Sequence, residues 1–151
     1  MKRLHLICNA HLDPIWQWEW EEGAAAALST FQSAANLAEK YDYIFCHNEV
    51  NLYKYTEKYA PALFAQIQKL VKQGKWHIMG GWYLQPDCLM PSGEGMLRQI
   101  REGELYFKEK FGVMPTTAVN FDPFGHSRGL VQILKKCGQD SYMFMRPYGK
   151  H

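Results

Sequence analysis

Apolar residues recur along this chain in two alternating rhythms. Short apolar runs at residues 4–8, 43–46, 76–79, 116–121 and 141–145 read as strands. Between them, apolar positions fall three and four apart. Residues 21–41 carry acidic residues in the first turn and place Leu28, Phe31, Ala35 and Leu37 at helical spacing. Residues 50–59 read as a short helix. Pro61 sits where a first helical turn accepts proline, and Leu63, Ile67, Leu70 and Val71 form a buried stripe up to Gly74. Ser92 is a good N-cap, with Glu94 placed to favour a helix N-terminus. That helix carries Leu97, Ile100, Leu105 and Phe107 and ends near Gly112. A last helix runs through Val131, Ile133 and Leu134 and stops at Gly138.

Strands alternating with helices predict an α/β fold of parallel β/α type. In such folds functional groups gather at the C-terminal ends of strands. His11 and Asp13, Asp122, the loop at 80–91 and Arg146 all fall there. Five strands do not close a barrel of the usual size, and the pattern stops at His151 straight after a strand. A piece of a longer domain is therefore expected.

At 151 residues there is room for one domain, and a hydrophobic share of 47% supports a sizeable core. A net charge of +2 is too small for a nucleic-acid footprint or a polybasic membrane anchor. No stretch approaches transmembrane length. Residues 1–8 are too short for the apolar core of a signal peptide. The four cysteines show no C-x-x-C spacing. Cys8, Cys46 and Cys137 sit in or beside apolar stretches and are expected to be buried thiols, which suits a reducing cytoplasm.

Two Asp-Pro pairs carry the candidate chemistry. Asp13-Pro14 lies in Asn9-Ala10-His11-Leu12-Asp13-Pro14-Ile15-Trp16, and Asp122-Pro123 in Asn120-Phe121-Asp122-Pro123-Phe124-Gly125-His126-Ser127. Proline keeps the preceding residue extended, so each carboxylate is held where a strand gives way to a turn. His11 and Asp13 are two apart, and on an extended segment they point the same way. An imidazole and a carboxylate side by side make a half-site for a divalent ion, zinc first among candidates. Asp before Pro is also common in turns. Against a turn-only role, Asp122 ends an apolar strand, where a carboxylate needs a partner. A metal would be one, and Arg146, at the end of the next strand, another.

Trp16 and Phe124, each within three residues of a key Asp, are candidates to stack on a sugar ring, whereas Trp18 and Trp20 read as packing. His126 reads as a supporting or structural group. His5, His47 and His77 carry no functional reading. Glu94 serves its helix terminus, and Asp87 is a candidate for the lining of a substrate pocket.

With these residues in place, the chain resembles glycoside hydrolase family 38, the zinc-dependent α-mannosidases. The carriers are Ala10-His11-Leu12-Asp13-Pro14-Ile15-Trp16, Gly80-Gly81-Trp82 with Gln85-Pro86-Asp87, Pro91-Ser92-Gly93-Glu94, Phe111-Gly112-Val113 and Asp122-Pro123-Phe124-Gly125-His126-Ser127. The resemblance implies the N-terminal portion of a seven-stranded β/α barrel. It implies Zn2+ on His11, Asp13 and Asp122, with Asp122 also the catalytic nucleophile. Trp16 and Phe124 would pack on mannose, and Arg146 would pair with the nucleophile. The substrate would be a mannose-containing oligosaccharide or glycan, cleaved with retention through a covalent glycosyl-enzyme. Such enzymes hold two carboxyl groups about 5–5.5 Å apart. The acid/base Asp and a further zinc-binding histidine of the family match nothing within residues 1–151. The chain alone is then expected to be inactive, poorly soluble and prone to self-association.

Two other readings stand beside this one. A metal-dependent carbohydrate deacetylase would use the metal to activate water, but would add a histidine pair, and no H-x-x-x-H occurs. A sugar-binding module would use Trp16 and Phe124 as platforms and leave His11, Asp13 and Asp122 without a purpose.

Overall fold

The computed structural model describes residues 2–146 of the 151. Among them the elements run α1 Trp20–Lys40, β1 Phe45–His47, α2 Val50–Tyr59, α3 Pro61–Lys72, β2 Trp76–Ile78, α4 Gly93–Phe111, β3 Thr117–Asn120, α5 Arg128–Lys136 and β4 Ser141–Phe144. The chain divides into two compact units. The first comprises residues up to 47 together with 52–77, and the second comprises 48–51 and residues from 78 onward.

In the first unit, α1 packs through small residues. Ala27, Ala34, Ala35 and Ala38 are buried at one face, with Phe31 as the large side chain among them. Phe31 is fully enclosed, its ring centroid 5.1 Å from that of Tyr53 and 5.3 Å from that of Trp76. Burying one such side chain contributes about 1.5–3 kcal/mol. Trp76 Nε1 donates to the Tyr53 hydroxyl at 2.8 Å, so this aromatic core leaves no indole N–H unmet. The Leu63, Phe64, Ile67 and Leu70 stripe of α3 closes the same core. Strands β1 and β2 pair with each other.

In the second unit, β3 and β4 pair in parallel, with Thr117 opposite Ser141 and Asn120 opposite Phe144. Trp82, Met96, Ile100, Ala118, Leu130 and Leu134 form the core beside them. Trp82 is fully buried and donates Nε1–H to the Val119 carbonyl at 3.1 Å. Ser92 caps α4 by accepting from Gly95 N at 3.2 Å, and Gly112 ends it in the left-handed conformation at φ 71°.

The structure corrects three expectations. Residues 4–8 form no strand: only Cys8 joins Phe45 in a single parallel bridge. Leu4, Leu6 and Ile7 are 83, 80 and 53% exposed, so nothing among the described residues covers that apolar run. Cys8, Cys46 and Cys137 are only partly buried, while Cys88 is the enclosed thiol. Cys137 fails to bury because it caps a helix end, and Cys8 because its segment lies at the surface. The described strands form two two-stranded sheets rather than one continuous parallel sheet. No described helix is long and apolar enough to cross a membrane.

Candidate functional site

The segment carrying His11 and Asp13 belongs to the first unit and is pinned from three sides. Cys46 N donates to Cys8 O at 2.7 Å, and Asn9 Nδ2 donates to Cys46 O at 2.7 Å. The buried His47 imidazole then donates Nε2–H to the Ala10 carbonyl at 3.1 Å, one residue before His11. A carbonyl can only accept, which fixes that tautomer. On the far side Trp18 Nε1 donates to Asp13 O at 3.2 Å. The Pro14 backbone lies so close to α1 that a Cβ on Gly23 would stand 2.0 Å from Pro14 O. Gly23 is therefore what lets the Asp13-Pro14 turn rest on the helix.

So held, His11 Nε2 and Asp13 Oδ1 lie 3.3 Å apart, with both side chains partly exposed. Two ligands of one tetrahedral zinc at about 2.0–2.2 Å stand roughly 3.3–3.5 Å from each other, so the pair fits the ion as two of its donors. Within either unit, no three described His, Cys, Asp and Glu side chains gather to hold a metal. Trp16 meets Trp18 edge to face at 5.7 Å and keeps 68% of its surface exposed. Trp20, expected to pack, stacks on Tyr59 at 6.3 Å.

Asp122 and Arg146 belong to the second unit. Asn120 and Phe144 are register partners, and Asp122 and Arg146 each lie two residues beyond them. Parallel pairing thus delivers both to the same strand ends, and their side chains form an ion pair, Arg146 Nη2 to Asp122 Oδ1. The pairing expected from strand order is present. The same guanidinium lies 4.8 Å from the Phe124 ring centroid, and that ring is 73% exposed. His126 Nε2 lies 2.7 Å from the Arg146 carbonyl.

Asp87 does a different job from pocket lining alone. Its Oδ1 accepts from Leu89 N at 2.7 Å and Met90 N at 3.0 Å, and these two backbone donors hold its carboxyl below the ordinary carboxylate range. It organises the turn of the 80–91 loop.

Glu49, which the sequence reading passed over, and Gln85, which it gave no role, support the Asp122 strand end. Glu49, 2% exposed, adopts φ 73°, the only described non-glycine residue at positive φ. Its Oε1 accepts from Gln85 N at 3.1 Å, and Gln85 Oε1 accepts from Phe121 N at 2.7 Å. A carboxylate buried in a strained conformation is thus one amide away from the residue preceding Asp122. The only signal in the sequence was that Glu49 lies shortly after a strand, a position also natural for the start of a helix.

The family model described as Glycosyl hydrolases family 38 N-terminal domain matches residues 1–150. Alpha-mannosidase 2C1 of Mus musculus is 30% identical over 136 residues, covering 89% of this chain and 13% of its own length. Alpha-mannosidase G of Dictyostelium discoideum is 26% identical over 142 residues, covering 93% of this chain and again 13% of its own. The crystal structure of an alpha-mannosidase from Enterococcus faecalis V583 superposes with a TM-score of 0.83 at 20% identity, over 91% of this chain and 16% of that one. That likeness establishes the α/β fold with parallel strands. The chain therefore spans only about an eighth of the curated relatives it matches. A match over all but one of its residues settles the family: this chain belongs to the glycosyl hydrolases of family 38, as its N-terminal domain.

Proposed function

We propose that this chain is part of a retaining, zinc-assisted α-mannosidase acting on mannose-containing oligosaccharides or glycans in the cytoplasm. Asp122 is the nucleophile and attacks the anomeric carbon, while an acid from elsewhere protonates the departing oxygen. The glycosyl ester formed on Asp122 is then released by water. His11 and Asp13 are zinc donors, and Asp122 is a third. Bound zinc supplies an electrostatic grip on sugar hydroxyls. Arg146 orients the Asp122 carboxylate and balances its charge, leaving one oxygen directed by the pair. Trp16 and Phe124, both broad exposed rings, pack on the apolar faces of the sugar, and Asp87 shapes the loop beside it. The seven-stranded barrel, the acid/base carboxyl and a further zinc-binding histidine are completed outside residues 1–151.

The observation that carries this reading is the Asp122–Arg146 pair at the shared end of β3 and β4, within a family 38 domain. A 2-fluoro glycosyl fluoride of mannose tests it in a polypeptide of the relatives' full length. The label should appear on the peptide containing Asp122, and Asp122→Ala should abolish turnover of an aryl α-mannoside. Label on another residue would overturn it, and robust hydrolysis by residues 1–151 alone would overturn the placing of the acid/base carboxyl outside them.

A further inference from the structure

Three alternate residues of one segment, Asp122, Phe124 and His126, all engage Arg146. They do so by different chemistries: an ion pair, a ring under the guanidinium at 4.8 Å and an imidazole 2.7 Å from the main-chain carbonyl. The imidazole itself is held. Tyr142 OH lies 3.0 Å from His126 Nδ1, and the Phe144 ring crosses it at 4.8 Å. Behind Tyr142, its hydroxyl lies 3.7 Å from Cys88 Sγ, and Asn120 Nδ2 lies 3.1 Å from that sulfur.

Elementary hydrogen-bond chemistry orients the imidazole and the phenol of this row. The Arg146 carbonyl only accepts, so His126 Nε2 carries the proton. In the neutral ring Nδ1 then accepts, so Tyr142 donates to it. With its hydrogen spent, the Tyr142 oxygen is open to the Cys88 thiol, whose single hydrogen also has the Pro86 carbonyl within reach at 3.7 Å. The sulfur in turn accepts from Asn120, whose Nδ2 also donates to Pro86 O at 2.9 Å and so is correctly assigned as nitrogen. The polarised row runs from the buried Asn120 outward to the backbone of Arg146.

We infer that His126 is a positioning residue: held as its Nε2–H tautomer by the Arg146 carbonyl and backed at Nδ1 by Tyr142, it anchors the Arg146 main chain so that the guanidinium meets Asp122. The tie to catalysis rests on the reading of Asp122 as nucleophile; the clamp itself does not. Without His126 the Arg146 carbonyl loses this anchor, and the side chain loses the fixed origin that bidentate or stacked contacts require.

Long-range proton–nitrogen NMR of the chain at about pH 8, above the ordinary histidine range, tests this directly. His126 should show the Nε2-protonated pattern, and rotation of the Arg146 guanidinium should be slow. His126→Ala should speed that rotation by on the order of tenfold. His126→Gln, whose amide nitrogen reaches the same carbonyl, should restore slow rotation. Tyr142→Phe withdraws the partner of Nδ1 and leaves the carbonyl contact, so the Nε2–H pattern should persist while guanidinium rotation becomes faster than in the wild type. Amide resonances of β3 and β4 report whether each variant keeps the sheet. Should His126→Ala fail to fold, the wild-type tautomer and the Gln and Tyr142→Phe variants decide alone. An Nδ1-protonated ring in the wild type, or wild-type rotation in a folded His126→Ala, would sink the clamp. No mannoside, metal or turnover enters the measurement, so an inactive enzyme with the clamp intact would sink only the mannosidase reading.

Discussion

Gly103 offers a test in which two well-known effects of one methyl group have opposite signs. It lies on α4, where replacing Gly by Ala ordinarily stabilises by up to about 1 kcal/mol. At this position, however, a Cβ would stand 2.0 Å from Gly81 O and 2.6 Å from the carbonyl carbons of Gly81 and Trp82. All three are backbone atoms and cannot rotate aside. Helix or loop must yield by about 1 Å, and overpacking of this kind costs about 1–3 kcal/mol, at the upper end against main chain. After the helix gain is subtracted, Gly103→Ala should lose about 2 kcal/mol. In a chain of this size that lowers Tm by roughly 4–8 °C. Gly95, on the first turn of the same helix, is the control: its Cβ would meet only Pro91 Cβ at 3.5 Å and Ser92 Oγ at 3.6 Å. Gly95→Ala should be neutral or mildly stabilising. Urea titrations followed by near-ultraviolet circular dichroism give both values on one scale. If Gly103→Ala proves as stable as Gly95→Ala, α4 does not sit on the Gly81-Trp82 backbone and the packing described for the second unit is wrong.

Two further outcomes are expected. Trp82→Phe keeps a buried ring but withdraws the donor from Val119 O, and should cost about 1–3 kcal/mol, read as a lower urea midpoint at unchanged slope. Asp87 has a folded-state pKa below its ordinary value of 3.8, so its contribution is present above 3.8 and lost as pH falls through the depressed value. Asp87→Asn keeps an oxygen acceptor for the Leu89 and Met90 amides. It should flatten the pH dependence of stability in that acid window and lower stability at neutral pH by the contribution that ionisation supplied; an unaltered acid limb would contradict the assignment.

Helices were the legible part of the sequence because their signals are local. The cap at Ser92, the proline at Pro61 and the left-handed Gly112 each act within one turn, and each marks a helix end that the structure reproduces. Strand formation is not local. Residues 4–8 are as apolar as the strands that did form, yet pairing needs a neighbour, and there only Cys8 finds one. The same division runs through the site. His11 with Asp13, two apart on one segment, and Asp122 with Arg146, at the ends of successive strands, follow from spacing and strand order. Glu49 does not, since its positive φ and its burial arise from the loop carrying Gln85, thirty-six residues away along the chain. Nor do the partners of His126, which sit on β4 and just beyond its end, sixteen to twenty residues downstream.

The enclosed sulfur of Cys88 gives the second unit a reporter of its own. At 2% exposure, with a thiol whose pKa burial pushes up, it is doubly shielded from alkylating reagents, which need both access and a thiolate. Cys8, Cys46 and Cys137 are only partly buried and so more open to reagent, although burial raises the thiols of Cys46 and Cys137 as well. Slow modification at Cys88 against a quick background at the other three would clock how often this half of the molecule breathes.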